Sequence, residues 1–329
     1  MDRTASRTAI DSSIDSFLVH QRTLGRDYKT EEHILLGLRR FLLNDHDGFD
    51  LDQGVFDRWS NQQNGLCANT RRSRQLVVRK LCLYRQRTHP DCFVPDPLYF
   101  ARPQPYRQPV LIEPEQVASL LMQASTLSPT TNSPLRGPVL RMAIVLLYTA
   151  GLRRGELVHL TLDDVDANEG VLRVRESKFH KSRLVPLSAS ARLELRRYMR
   201  VRDQHDAPQC AGSALLCNHH SQCWRHYTGA GLGQGIGRLL DAADVHDAHG
   251  RRPRVHDFRH SFAVQALVRL YRRNADVQSA LPHLALYMGH VSIVSTAYYL
   301  HFIPTLAALA SEKFESLCGD VLEEARDEN

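Results

Sequence analysis

The chain has 329 residues, 43% hydrophobic and 24% charged, an ordinary globular composition with length enough for two cores rather than one. Its longest apolar run, Met142 to Leu152, is far shorter than the roughly 20 residues of a membrane span, and MDRTASRTAIDSSIDSF at the N-terminus has no basic segment leading into an apolar core. No membrane helix and no secretory signal are therefore expected, which points to the cytoplasm, and the formal net charge of +6, carried mostly by arginine, suggests an anionic polymer as partner.

From Asp11 to Asp45, Ile14, Phe17, Leu18, Ile34, Leu35, Leu38, Phe41 and Leu42 recur at helical spacing, with Gly25 separating two helices. Asn69 to Thr88 predicts a further helix, in which Leu76, Val77, Leu81 and Leu83 supply an apolar side and seven Arg or Lys residues the remainder. His89 to Gln116 then holds seven prolines, each fixing φ and removing a backbone donor, so neither helix nor sheet can run through it. The expected organisation is a helical unit over 1–100, a proline-rich linker over 101–112 and a larger unit over 113–329.

In the larger unit, EPEQVASLLMQA opens a helix with proline in its first turn, TLSPTTNSPLRGP reads as a surface loop, and Leu140 to Thr149 as a buried helix. Val171 and Val174, then Leu184, Val185 and Leu187, alternate on either side of Ser177-Lys178-Phe179-His180, predicting a hairpin. From Ala189 onward helical patterns dominate. The fold class expected is mainly α with a small β-sheet. Seven scattered cysteines fit reduced thiols rather than a disulfide framework.

Three polar clusters interrupt the apolar helices. TAGLRRGELVHL sets Arg153 just after a buried helix, with Glu156 one turn on. RVHDFRHSFA puts His256 and Arg259 three apart, on one helix face, with His260 adjacent. MGHVSIVSTAYYLH sets His290 nine residues before Tyr299. Singly each is weak; the order and context of all of them are specific.

In these stretches, together with IEPEQVASLL and SKFHKSRLVPL, the chain resembles the tyrosine recombinase, or phage integrase, family over nearly all of its C-terminal two thirds. The resemblance implies a helical N-terminal core-binding domain and a mixed α/β catalytic domain. It makes Arg153 and Arg259 the pair that holds the scissile phosphate, His256 and His290 the other phosphate-contacting or proton-handling positions, and Tyr299 the nucleophile. The hairpin lysine aligns with Lys178, in place of the usual glycine-lysine-glycine turn, with Lys181 close behind as the alternative general acid. Tyr298 and Tyr299 point about 100° apart on a helix, so only one faces the phosphate, and the spacing from His290 selects Tyr299.

Phenol attack on a phosphodiester develops charge on the phosphoryl oxygens, which two bidentate guanidinium groups stabilise without a metal. The phosphotyrosyl link keeps the bond energy, so rejoining needs no ATP and no cofactor is expected. The activity implied is site-specific cleavage and rejoining of double-stranded DNA by a homo-tetramer on two synapsed sites, for mobile-element integration or excision. Chromosome-dimer resolution and an inactive DNA-binding relative are the alternatives, and a type IB topoisomerase would share the chemistry as a monomer.

Two other motifs and the C-terminal tail remain. Cys217, His219, His220 and Cys223 have no zinc-finger spacing and read as a polar loop with a buried cysteine. GAGLGQGIGRLL fails the phosphate-loop spacings and reads as a flexible lead-in to a helix. Leu306, Leu309, Phe314, Leu317 and Val321 follow helical spacing, for a core helix or one that docks on a neighbouring subunit.

Overall fold

The computed structural model describes residues 3–44, 50–105, 107–131, 133–177, 181–220, 223–273, 275–290, 292 and 311–312. Lys178, Tyr298, Tyr299 and the tail 306–321 lie outside the described residues except for 311–312. The chain divides into two compact units, Met1–Arg107 and Gln108–Asn329.

The first unit is built from α1 (Arg3–Thr23), α2 (Lys29–Asn44), α3 (Gln53–Asn61) and α4 (Ala68–Arg85). Ile14, Phe17, Leu35 and Leu38 are buried, as their spacing predicts, together with Val55, Phe56, Trp59, Val78 and Leu81. Helix α3 was not expected from sequence. At nine residues it is too short to show a clear period, and it is started by the Asp52 carboxylate, which accepts from the Val55 N–H at 2.8 Å. On α4 the buried positions are Gln75, Val77, Val78, Leu81, Cys82 and Arg85, whereas Leu76 and Leu83 are exposed. The core stripe advances by three and four residues from Val77, and Leu76 and Leu83 fall off it. Arg85 crosses into this core to meet Asp50 at 2.6 Å.

In the second unit α5 (Pro114–Thr126) begins at proline, with Gln116 accepting from the Glu113 N–H at 3.0 Å. Helix α6 (Arg136–Thr149) is buried on nearly every side and forms the middle of the main core. It begins inside the stretch expected to be loop, because Gly137 lets its first turn lie against the Ala124 carbonyl, which an added Cβ would meet at 2.6 Å.

After α7 (Arg154–His159), β1 (Val165–Asp166), β2 (Val171–Ser177) and β3 (Lys181–Pro186) form an antiparallel sheet in that order. Leu172 pairs with Val185 and Val174 with Arg183, and the register shifts between Val174 and Ser177. Helix α8 (Ala189–Gln204) follows.

Two expectations are corrected here. Cys217–His220 and Cys223–His226 form a second hairpin, β4 and β5, where a polar loop in a mostly helical stretch was expected. Asn218, His219 and His220 give these strands no apolar alternation to read, and the residues leading into β4, Ser213, Ala214 and Leu215, pair through the backbone with Leu162, Thr161 and Leu160. Cys217 is buried, and among the described residues no group of three or more His, Cys, Asp or Glu gathers as for a metal ion. The glycine-rich run is itself helix α9 (Gly229–Ala242), capped by Thr228, whose hydroxyl accepts from the Gly231 N–H at 3.0 Å. Leu232, Ile236, Leu239 and Leu240 bury one face, and the backbone at Gly235 lies so close to Leu140 that a Cβ there would meet it at 2.8 Å. Close helix packing, not flexibility, is the use made of these glycines.

Helices α10 (Val255–Arg272) and α11 (Val277–Met288) pack through a smaller core of Val264, Leu267, Leu281 and Met288. Among the described residues no helix is long and apolar enough to cross a membrane.

Candidate active site

Two glycine turns form the frame. Gly151, between α6 and α7, has φ +60°, and a Cβ there would meet the Phe262 ring at 2.5 Å. Gly289 closes α11 in the left-handed conformation at φ +67°, and a Cβ there would lie 2.8 Å from the Arg183 guanidinium. Both turns therefore require glycine on conformational and steric grounds.

The two arginines bind this frame from different elements. Arg259 rises from the first turns of α10, only 1% exposed, and donates through Nη1 to the Gly151 carbonyl at 2.6 Å and through Nη2 to the Met288 carbonyl at 2.5 Å. Arg153 precedes α7 and donates through Nη2 to the next carbonyl, that of Gly289, at 2.6 Å. Its Nη1 donates to Glu156 Oε1 at 2.6 Å, and its own N–H to Glu156 Oε2 at 2.9 Å. Residues 136 positions apart in the sequence are thus joined around one turn, with His290 next in the chain.

Glu156 is the shared anion beneath them. Its side chain is 5% exposed and also receives both terminal nitrogens of Arg183, each at 2.9 Å. Burial pushes its carboxyl up, but the hydrogen bonds from Arg183 and from the Arg153 backbone, with the Arg183 charge, outweigh that and hold it at about 2.

The histidines respond to the same charge. His290 is half-buried, and burial followed by Arg259, Arg153, His256 and His260 pushes it down to about 4. His260, buried beneath His256 with ring centroids 4.7 Å apart, is likewise pushed to about 4, by burial and then by His256. His256 sits at the open side of the group. The protein packed around its ring, and then the charge of Arg259, lower it as well. The neutral imidazole is therefore favoured at pH 7 in His260 and His290, and the shift of His256 runs in the same direction.

The four described sequence candidates, Arg153, His256, Arg259 and His290, therefore come together. The two others, Lys178 and Tyr299, lie outside the described residues, and β3 begins three residues after Lys178. Glu156 had a visible signal, three residues after Arg153 at the start of a helix; Arg183 had none, because its partners lie 27 and 104 positions away.

The description "Phage integrase family" fits residues 111–304 of this chain by its family model. The putative integrase/recombinase y4rE of Sinorhizobium fredii (strain NBRC 101917 / NGR234) is 35% identical over 249 residues, 76% of this chain and 78% of its own. The putative integrase/recombinase y4rB of the same strain is 31% identical over 322 residues, 92% and 96% of the two chains. Among solved structures, the Tn1549 transposon integrase in complex with a circular intermediate DNA shares the fold with a TM-score of 0.63 at 19% identity, over 92% of this chain and 99% of that one. With the family model matching more than half its length and two such relatives alongside, the chain belongs to the phage integrase family of tyrosine recombinases.

Proposed function

We propose that the protein cleaves and rejoins double-stranded DNA at specific sites through a 3′-phosphotyrosyl intermediate, in the service of integrating or excising a mobile element. The observation that carries this reading is the convergence of Arg153 and Arg259 on the adjacent Gly289 and Met288 carbonyls, beside His290, whose neutral form is favoured. Held this way, the guanidinium groups are oriented before substrate arrives and need little reorganisation to stabilise a charged phosphoryl group.

Tyr299 Oη attacks phosphorus, the P–O5′ bond breaks, and the leaving oxygen takes a proton from Lys178 or Lys181. The phenol, with an ordinary pKa near 10, gives its proton to a neutral imidazole, His256 or His290. Rejoining reverses these steps, a 5′-hydroxyl attacking phosphorus and the phenolate leaving. In this reading the first unit is the core-binding domain, with α4 among its basic elements, and four copies assemble on two sites in the cytoplasm. The relatives' names, putative integrase/recombinase and tyrosine recombinase XerD, support site-specific recombination, of which integration or excision is the reading preferred here.

The test is covalent capture. Nicked duplexes with a randomised core are incubated with the full chain, and SDS-stable adducts are isolated and sequenced. Recovery of a defined sequence joined through its 3′ phosphate is expected. DNA bound but never joined would contradict the proposal and leave a DNA-binding protein without strand chemistry.

A further inference from the structure

Arg183 lies on β3, two residues after Lys181 and five after Lys178. All three of its nitrogen positions are engaged: Nη1 and Nη2 by the Glu156 carboxylate and Nε by the Tyr287 carbonyl at 2.8 Å, with the side chain 8% exposed. Three of its five N–H groups are thus spent inside the protein, its two-pronged end on a carboxylate. Glu156 in turn holds Arg153 through both its side chain and its backbone N–H. The Tyr287 carbonyl lies two residues before Gly289, whose missing Cβ leaves the room that Arg183 Nη1 uses. A second tie runs alongside, from the Tyr287 hydroxyl to the Pro186 carbonyl at 3.1 Å.

We infer that Arg183 is a positioning residue that locks the lysine-bearing β2–β3 hairpin to the Arg153–Glu156 pair and to the turn before His290, so that the proton donor and the phosphate-holding groups are set in one frame. The inference rests on the strand-transfer reading above and assigns to that reaction a residue that touches no reacting atom. A buried, bidentate arginine–carboxylate pair is stiff and directional, which a flexible lysine at the same place is not. Without it, β3 keeps its ladder to β2 but loses its ties to Glu156 and to the last turn of α11.

The test separates proton donation from phosphate binding by the leaving group. Adduct formation by the full chain is timed on the duplex recovered by covalent capture, and on the same duplex with the bridging 5′ oxygen at the scissile phosphate replaced by sulfur. There the P–S bond breaks and a thiolate leaves without needing a proton. Arg183→Gln and the milder Arg183→Lys are compared with wild type as first-order rate constants, so an unfolded fraction cancels. A loss on the order of 10- to 100-fold on the oxygen duplex, below or at the lower end of the roughly 10²–10⁴ a general acid contributes because the lysine itself is kept, is expected, with most of it restored on the sulfur duplex. Tyr287→Phe, which cuts only the parallel tie, is expected to show a smaller loss of the same kind. Equal losses on both duplexes, or no loss on either, would overturn the assignment. Absence of any wild-type adduct on both duplexes would instead sink the strand-transfer reading, and this one with it.

Discussion

On α4 and in the turn that follows it, Lys80 and Arg87 are exposed beside a helix whose other side closes an apolar core, while around Gly151 and Gly289 of the second unit the charges of Arg183, Glu156 and Arg259 are inside the protein. The first arrangement leaves cations hydrated and movable, suited to a polyanion read along its backbone; the second fixes them by carbonyls and a carboxylate before any ligand arrives. Arg85, paired with Asp50, shows that the first unit also buries one arginine, but with a single carboxylate rather than a network. Removing a group should therefore cost fold and chemistry in the second unit, and salt-dependent affinity alone on the exposed face of α4.

Glu156→Gln is the sharpest way to break that contrast. It leaves Arg153 and Arg183 without their common anion, and a loss of about 3–5 kcal/mol in the urea unfolding of the full chain is expected. The Glu156 carboxyl is held at about 2, below its ordinary value, so its contribution is complete above pH 4.5 and fades as pH falls toward 2. The wild-type acid limb should show that decline and the variant should lack it.

The histidines titrate in a higher window. His260 and His290 are pushed from 6.5 to about 4, so the unfolded chain binds their protons first, and stability is greatest above pH 6.5 and falls as pH drops toward 4. Thermal unfolding at pH 7.5 and pH 5 is expected to show a lower midpoint at pH 5, and His260→Gln to reduce that difference. An equal difference in the variant would remove His260 as a cause.

The smallest effect is expected on α4. Lys80→Ala with Arg87→Ala should change stability by no more than about 0.5 kcal/mol, while flattening the slope of log affinity against log salt by about one per lost phosphate contact. An unchanged slope would take this face of α4 off the DNA.

The same contrast explains what could be read from the chain itself. Amphipathic spacing found α1, α2 and α4, and the alternation around Lys178 found the first hairpin, because each follows from apolar residues near one another in sequence. Helix α3 and the second hairpin were missed because they are short, the one started by an aspartate cap and the other led in by backbone bonds to residues about 50 positions away. Within the site, Arg153, His256, Arg259 and His290 were legible only as a family pattern. Their partners Gly151, Met288 and Gly289 act through carbonyls, which carry no residue signature, and Arg183 is joined to the rest across 27 and 104 positions.

The central claim is that one phenol of the adjacent pair makes the bond to DNA. Adduct formation on the captured duplex, measured for wild type, Tyr298→Phe and Tyr299→Phe with binding verified for each, tests it most directly. Tyr298→Phe should form the SDS-stable adduct and Tyr299→Phe should bind the duplex without forming any; an adduct that survives Tyr299→Phe would contradict the account.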